Sequence, residues 1–411
     1  MTAIEVKSGI NWIGVNDRTT DLFEGLWPIT SEGVSYNAYV IKDEKNVLVD
    51  MAKDIKSNAL LDQIAEVVDP ADLDYIVINH MEPDHTGAIR SLRQIAPKAV
   101  VLCTARAAEM LEAYYEITEG VHVVTDGETL ELGEHTLKFF MTPMVHWPET
   151  MVTYETTQKV LFSCDAFGGY GALQGSVFDD ECHDLAFYEQ QALRYYANIV
   201  ALFARPVIRA IDKLKDLPID VIAPSHGLIW RADPGRIVQL YQKWANYALK
   251  GPEVGVTLLY GTMYGNTERM VEAVASGVAA ARVPLEIFDV RHIHSSYILP
   301  SIYKHSGVLV GAPTYEGELF PPMAHVLDMV ARKRIQHRKL AYFGSFGWSG
   351  GARREITTLA ERLRWDLDEP WEFRGGPTRE DLVKGRKLGY QFAMGLKEKA
   401  AADTSVVRTL P

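Results

Sequence analysis

The stretch that decides the fold is Asn79-His80-Met81-Glu82-Pro83-Asp84-His85-Thr86-Gly87. Four of its side chains can bind a metal, namely His80, Glu82, Asp84 and His85. Residues 75–78 are apolar, which is typical of a buried strand, and Pro83 disfavours a helix before Asp84. We therefore expect the first three of these ligands on a loop at the end of a strand, with alternate side chains pointing the same way. A polar loop with structural histidines is the other interpretation, but buried charges are rarely left unpaired.

Three further residues of the same chemical kind follow apolar, strand-like segments, namely His146, Asp165 and His226. Each alone is weak evidence, because a single histidine after a strand is more often structural than catalytic. In this order behind the first cluster, they form a pattern that resembles the metallo-β-lactamase superfamily over residues 4–250. The hydrolases of that superfamily usually carry a second histidine where this chain has Glu82.

The carboxylate of Glu82 bears on the choice of metal. Four imidazoles and three carboxylates are enough for two metals if one carboxylate bridges them. Replacing an imidazole by a hard, anionic oxygen moves such a site away from zinc and towards iron or manganese. Anionic ligands also stabilise the higher charge of ferric iron, so the site suits two irons that cycle between the ferrous and ferric states.

Length and composition predict an enzyme of two domains. The chain has 411 residues, of which 47% are hydrophobic and 23% charged, and this is too long for one core. Its net charge of −12 disfavours nucleic acid and anionic membranes as partners. No apolar run reaches transmembrane length and the first residues lack the features of a secretory signal, so we expect a cytoplasmic protein that does not bind membranes.

Cysteine usage indicates how electrons arrive. The three cysteines are Cys103, Cys164 and Cys182, and they form no Cys-x-x-Cys pair. This argues against disulfides, a zinc ribbon, an iron-sulfur cluster or a fused rubredoxin module. We therefore expect a separate electron donor.

The first domain reads as an αββα sandwich with its site on one edge. Short strand-like runs separated by turn residues predict strands at 10–15, 35–41 and 46–50. Apolar periodicity predicts helices over 57–67, 87–95 and 187–209. The glycine-rich run 168–171 is either a lid over the site or a tight connection. An amphipathic helix over 236–249 ends at Lys250-Gly251-Pro252, which places the domains at 1–250 and 251–411.

The second domain reads as a flavodoxin-like, doubly wound parallel sheet. Apolar strands at 254–260, 285–290 and 307–312 alternate with helices. Three loops fall where such a sheet binds a ligand, and the first opens onto a helix that is suited to a phosphate. The second domain contains no Gly-x-Gly-x-x-Gly motif, which argues against a dinucleotide. We therefore expect FMN. The residues expected to contact it are Thr262, Met263, Tyr264, Gly265, Asn266 and Thr267 in the first loop, Pro313, Thr314, Tyr315, Glu316 and Gly317 in the second, and Ser345, Phe346, Gly347, Trp348, Ser349 and Gly350 in the third.

The motif His-x-Glu-x-Asp-His, the later ligands and the flavin loops together resemble the flavodiiron proteins over residues 12–397. The resemblance implies a reductase that converts dioxygen to water, nitric oxide to nitrous oxide, or both, with FMN passing electrons to two irons. Carried over residue by residue, it assigns His80, Glu82 and His146 to one iron, Asp84, His85 and His226 to the other, and Asp165 to both.

The resemblance also carries expectations about partners and about one tyrosine. It implies a head-to-tail homodimer, or a dimer of such dimers, in which the FMN of one subunit faces the irons of the other. Rubredoxin or another reduced electron donor is expected, and reduced coenzyme F420 is the alternative that some relatives use. Tyr195 matches a tyrosine that lines the metal pocket of relatives, which makes it the candidate catalytic residue, although a core tyrosine explains it as well.

Two other functions remain open from the sequence. A zinc hydrolase or nuclease fused to a flavodoxin would cleave its substrate without a reductant. An electron carrier whose first domain is only a scaffold would consume neither gas.

Overall fold

The computed structural model describes the backbone of residues 2–409 and the side chains of residues 2–402. Contacts between residues divide the chain into two units, Met1–Ala245 and Asn246–Pro411. The division predicted after residue 250 stays a prediction.

The first unit contains two main sheets. The strands of the seven-stranded sheet are β1 (Ile4–Lys7), β2 (Ile10–Trp12), β7 (Tyr39–Ile41), β8 (Asn46–Val49), β9 (Leu73–Val77), β10 (Val100–Cys103) and β11 (Val121–Val123), in this order. Those of the five-stranded sheet are β12 (Thr129–Glu131), β13 (Thr136–Met141), β14 (Met151–Glu155), β15 (Val160–Cys164) and β16 (Val221–Pro224). Two short ribbons pair β3 (Val15–Asp17) with β6 (Val34–Tyr36) and β4 (Leu22–Phe23) with β5 (Trp27–Pro28).

The two main sheets share one apolar core. Val49 and Val77 from the first sheet and Phe139 and Phe162 from the second belong to the same buried cluster. The strands β8 to β11 run parallel, as do β15 and β16. Parallel neighbours bring their carboxyl ends to one edge, so the loops that leave β8, β9, β15 and β16 meet there.

The helices of this unit are α1 (Ser57–Ala65), α2 (Pro83–Thr86), α3 (Ile89–Ile95), α4 (Ala105–Tyr115), α5 (Leu185–Tyr195), α6 (Ala204–Leu214) and most of α7 (Pro234–Leu249). Two expectations are wrong here. The helix predicted over 187–209 is interrupted by a π-helical turn, Tyr196–Val200, and a 3₁₀ turn, Ala201–Phe203. The strands predicted over 10–15 and 35–41 are each broken into two, because the chain changes from the main sheet to the β3–β6 ribbon.

The second unit is built on a parallel sheet. Its strands are β17 (Glu253–Tyr260), β18 (Leu285–Asp289), β19 (His305–Gly311), β22 (Lys339–Phe346), β23 (Asp366–Leu367) and β24 (Trp371–Arg374). Their spatial order is β18-β17-β19-β22, with β23 and β24 both paired to β22, which is the strand order 2-1-3-4-5 of a flavodoxin-like fold. A small hairpin joins β20 (Thr314–Tyr315) to β21 (Glu318–Leu319).

Five helices cover this sheet, namely α8 (Asn266–Ala280), α9 (Ser295–Lys304), α10 (Pro321–Arg332), α11 (Ala352–Leu363) and α12 (Arg379–Thr409). Glycines let α8 and α12 approach closely. A Cβ atom on Gly277 would lie 2.0 Å from the carbonyl oxygen of Arg386, and one on Gly389 would lie 2.0 Å from that of Val274. Of the helices in the described part of the chain, none is long and apolar enough to cross a membrane.

Candidate metal centre and flavin loops

The seven predicted metal ligands meet at one edge of the first unit. Four of them follow β9, Asp165 follows β15, His226 follows β16, and His146 lies in the loop between β13 and β14. The backbone turns sharply before Asp165, since Cys164 has a φ of 51°, in the left-handed region that residues with a Cβ rarely adopt. The fold therefore gathers residues from four segments of the chain.

One expectation about this edge is wrong. Asp84 lies in the helical turn α2 rather than on a loop, and His85 lies in the same turn. The turn begins at Pro83, which suits the first helical position because the amide that proline lacks would have no partner there.

The ligands form two groups that share Asp165. In the first group, the Nε2 atom of His146 lies 3.1 Å from Glu82 Oε2 and 3.1 Å from Asp165 Oδ2, while the Nε2 atom of His80 lies 3.3 and 3.4 Å from the same two oxygens. Asp165 Oδ2 therefore faces the first group.

In the second group, the Nε2 atom of His85 lies 3.0 Å from Asp165 Oδ1 and 3.4 Å from Asp84 Oδ1. The Nε2 atom of His226 lies 3.3 Å from Asp84 Oδ2 and 3.4 Å from Asp165 Oδ1. Donor atoms of His80, Glu82, His146 and Asp165 lie within 4.8 Å of one another, and so do those of Asp84, His85 and His226, so each set can surround one ion.

Several of these buried atoms lack a hydrogen bond of suitable geometry among the described residues. They are both oxygens of Asp84, both oxygens of Asp165, both ring nitrogens of His85 and Nε2 of His226. A buried polar atom without a partner costs about 1–3 kcal/mol, so a cluster of them indicates a group that binds there. These residues fit two metal ions, each held by nitrogen and carboxylate donors, with Asp165 shared by both. The mixed donor set suits iron.

Two histidines of this site hold a proton more tightly than an ordinary histidine when no metal is bound. Burial lowers the pKa of His226, but the close Asp165 and Asp84 carboxylates outweigh this effect and raise the pKa to about 10. Burial likewise lowers the pKa of His146, while Asp165 and Glu82 raise it to about 9. A metal must displace these protons, so metal affinity falls as pH falls.

Outer residues hold the ligands in place. Glu149 Oε1 lies 2.6 Å from His80 Nδ1, and His226 Nδ1 donates to the carbonyl of Ser35 at 2.7 Å. The Asn37 amide donates to the carbonyls of Pro224 and Gly227 at 2.9 Å each, which fixes the loop that carries His226. Glu149 was not among the predicted site residues, although it lies only three residues after His146.

An aromatic wall borders the second ligand group. The ring centroid of His226 lies 5.5 Å from Phe23, 5.8 Å from Tyr36 and 5.6 Å from Tyr195. Tyr195 is therefore next to the site, and its catalytic role stays a proposal. Phe23 gave no signal in the sequence, because nothing in its local pattern relates it to a histidine some 200 positions away.

Next to Phe23 lies an acidic group that the sequence analysis also missed. Burial of the Glu24 carboxyl and the neighbouring Glu82 carboxylate raise the pKa of Glu24 to about 7. Glu24 also accepts a hydrogen bond from Trp27 Nε1 at 3.0 Å.

The glycine-rich run after Asp165 is a tight connection. Residues 166–173 are all buried. A Cβ atom on Gly169 would lie 2.7 Å from the Cα atom of Ala192, so the run packs closely against α5. This packing does not favour the lid interpretation.

The first flavin loop precedes α8. Gly265, with a φ of 87°, is the N-cap residue, and no side chain caps the helix. The Thr262 hydroxyl accepts a hydrogen bond from Gly265 N at 2.9 Å, and Thr267 is buried in the first turn. Amide groups at an uncapped helix start fit the phosphate of FMN. Met263 and Tyr264 are exposed, at 41% and 90%.

The second and third loops lie against each other. Glu316 and Gly317 form the turn between β20 and β21, with φ values of 50° and 84°. A Cβ atom on Gly351 would lie only 1.9 Å from Gly317 O, so the two loops touch through their backbones. Trp348 is 89% exposed and Tyr315 40%, which leaves both rings open to a flat ligand.

Two details of these loops differ from expectation. Gly344, Ser345 and Phe346 belong to β22, so the third loop begins at Gly347. A further loop, 375–377, also borders the flavin loops. It was not predicted, because its sequence contains no motif typical of flavin binding. Ser345 Oγ donates to the carbonyl of Gly375 at 2.8 Å, and a Cβ atom on Gly376 would lie 3.1 Å from the Asn266 side-chain oxygen.

Comparison with known families supports two domains, one with the metal centre and one with the flavin loops. Residues 34–227 match the family model of ODP family beta lactamases. Residues 258–364 match the flavodoxin model.

Whole-chain relatives decide the family. The chain is 36% identical over 415 residues to the anaerobic nitric oxide reductase flavorubredoxin of Shigella flexneri, covering 98% of this chain and 85% of that protein. It superposes with a TM-score of 0.91 on the rubredoxin oxygen:oxidoreductase of Desulfovibrio gigas, at 31% identity, covering 97% of this chain and all of that one. The chain belongs to the flavodiiron proteins. A flavodiiron protein of Giardia intestinalis also superposes with a TM-score of 0.91, at 28% identity, over 97% of this chain and 98% of that one.

Membership of the flavodiiron family confirms several predictions. They are the two-part fold, the oxidoreductase class, and FMN and two irons as cofactors. The individual ligand assignments within this flavodiiron protein remain proposals that the geometry above supports.

Proposed function

We propose that this flavodiiron protein reduces dioxygen to water, nitric oxide to nitrous oxide, or both, with electrons that FMN passes to two irons. The observation that carries the proposal is the position of Asp165. Its Oδ2 faces His80 and His146 while its Oδ1 faces His85 and His226. A single carboxylate shared by two nitrogen-rich groups supports a paired metal centre.

The names of the relatives support these substrates. One is called an anaerobic nitric oxide reductase and another a rubredoxin oxygen:oxidoreductase. Relatives that match nearly the whole chain thus carry names for either gas, and we propose the same substrate class for this chain.

Each group of residues has a distinct task in the proposed reaction. His80, Glu82 and His146 would hold one iron, Asp84, His85 and His226 the other, and Asp165 would bridge. When bound, the irons supply electrons and open positions for the gas. Buried Phe23, Tyr170 and Tyr195 pack edge to face beside His226 and exclude water from that side. Tyr195 keeps its proton because burial holds the pKa of its hydroxyl well above the ordinary value.

Three features of the working enzyme are part of the proposal. The electron donor is a separate rubredoxin, with reduced coenzyme F420 as the alternative. The working assembly is a head-to-tail homodimer or a dimer of such dimers. The predicted location in the cytoplasm stays a prediction.

Anaerobic single-turnover assays test the function directly. Purified, fully loaded protein is reduced and mixed with each gas, and its metals and flavin are quantified in parallel. We expect about two irons and one FMN per chain and consumption of at least one gas. Zinc in place of iron would favour the fused hydrolase, and reduced protein that leaves both gases untouched would favour the electron carrier.

Substitution of one ligand tests the choice of metal. Glu82→His replaces an anionic oxygen by an imidazole and restores the residue usual in the hydrolases, so iron content and reductase turnover should fall. Unchanged turnover with two irons would contradict the role given to Glu82.

A further inference from the structure

Glu149 lies directly behind one of the metal ligands. Its Oε1 atom is 2.6 Å from His80 Nδ1 and also accepts a hydrogen bond from Met81 N at 3.0 Å. Glu149 is 2% exposed and His80 is fully buried. Because Nδ1 bonds to this carboxylate, Nε2 is the ring nitrogen left to face Glu82 and Asp165.

The second ligand group has a different outer partner. His226 Nδ1 donates to a neutral backbone carbonyl, that of Ser35, at 2.7 Å. His85 Nδ1 forms no hydrogen bond with any described residue. The buried Asp50 is near, but its hydrogen bonds come from Asn79 and Ser225.

We propose that Glu149 is a positioning residue that makes the two iron positions electronically unequal, an inference that rests on the proposed diiron function. A carboxylate that accepts from a ligand histidine fixes the tautomer of the ring and makes it a stronger donor to the metal. The iron held by His80, Glu82 and His146 would therefore have a hydrogen-bonded carboxylate behind one of its histidines that the other iron lacks, and it would favour the ferric state. One electron taken from a reductant such as dithionite by the fully oxidised centre resides on the iron held by Asp84, His85 and His226.

The variant Glu149→Gln separates charge from shape. The amide has nearly the same size and its oxygen can still accept from His80 Nδ1, but the negative charge is gone. The full-length holoprotein is titrated stepwise with dithionite and followed by electron paramagnetic resonance and Mössbauer spectroscopy, after iron content and gas consumption have been measured. We expect iron content to stay near that of the unmodified protein. The equilibrium constant for forming the half-reduced state should fall about ten-fold, as a charge-assisted hydrogen bond becomes a neutral one.

The same unit offers a matched control. Glu155 is a buried carboxylate whose Oε1 lies 3.2 Å from His135 Nδ1, in a pair that contacts none of the predicted ligands. Glu155→Gln should leave the titration unchanged.

Each outcome decides the inference. An unchanged titration of Glu149→Gln would overturn it, and so would loss of iron with an intact fold, which would make Glu149 only a structural support. If the variant does not fold, the unmodified protein decides, since equal irons would give no half-reduced signal localised on one site. Failure of the proposed function is distinct, because it would already appear as missing iron or missing gas consumption in the unmodified protein.

Discussion

The metal centre and the flavin loops both lie beyond the carboxyl ends of strands, but they are built from different parts of the chain. The metal centre consists of side chains, which are buried or nearly so, and several of their polar atoms have no hydrogen bond among the described residues. The flavin loops consist largely of backbone, and their aromatic rings stand in solvent, with Tyr264 90% and Trp348 89% exposed. The first site is thus shaped by the folded protein before it binds anything, whereas the aromatic walls of the second are completed by their ligand.

This contrast predicts that damage to one site leaves the other intact. Metal ligands act through charge and geometry inside a packed core, so their loss should have large effects on iron. Flavin contacts act through ring stacking and loop shape, so their loss should have graded effects on FMN.

The largest expected effect comes from Asp165→Asn. The amide carries no charge and only one oxygen, so it cannot serve both ligand groups. We expect fewer than two irons per chain and a loss of gas consumption of at least about 100-fold, with FMN content unchanged. Metal analysis and turnover measure this, and Asp126→Asn, at a carboxylate with 53% exposure, is the control. Two irons with ordinary turnover would refute the bridging role.

Trp348→Ala should have the next largest effect. Removal of a stacked ring costs about 1–3 kcal/mol, so FMN should bind roughly ten-fold or more weakly. Iron content should not change. Fluorescence titration of the flavin-free protein with FMN measures the affinity, with Tyr390→Ala as a control because that ring is 44% exposed on α12. If both variants bind FMN equally well, Trp348 does not stack on the flavin.

Gly351→Ala tests the contact between two flavin loops. Its Cβ would meet Gly317 O at 1.9 Å, so one loop must move, and overpacking of this kind typically costs about 1–3 kcal/mol. We expect several-fold weaker FMN binding and a lower melting temperature. Gly395→Ala is matched, because nothing lies within 4 Å of its Cβ. Equal behaviour of the two variants would show that the loops are free to separate.

The smallest effect concerns a buried histidine, His305, whose nearest described carboxylate, Glu286, lies 3.8 Å from Nε2, beyond hydrogen-bonding distance. His305 Nδ1 lies 3.2 Å from the Thr257 hydroxyl and 3.3 Å from that of Ser301, and burial lowers the pKa of this histidine below its ordinary value of 6.5. The unfolded chain takes up the proton first as pH falls, so His305 destabilises the second unit progressively below about pH 6.5. Urea unfolding followed by flavin fluorescence from pH 8 to pH 5 should show the decline, and His305→Gln should reduce it. An identical decline in the variant would assign it to other groups.

Much of both sites could be predicted because their residues carry local signals. The ligands are chemically distinctive and follow apolar runs, and the flavin loops are rich in glycine and hydroxyl residues at strand ends. The predicted ends of helices and loops were wrong where local sequence preference and tertiary packing favour different backbone conformations. Asp84 was placed on a loop although Pro83 starts a helical turn, and the helix predicted over 187–209 contains a π-helical turn that apolar periodicity does not reveal.

The sequence by itself determined the fold class and the family, and it named the candidate metal-binding side chains, because each of these depends on residue type, order and spacing. Only the tertiary structure decided which atoms of Asp165 face which histidines, that Glu149 supports His80, and that Phe23 borders His226. Phe23 and His226 are 203 positions apart in the chain, and His80 and Glu149 are 69 positions apart. The physical reason is that such pairings depend on how two sheets pack, and no local pattern in the chain encodes that packing.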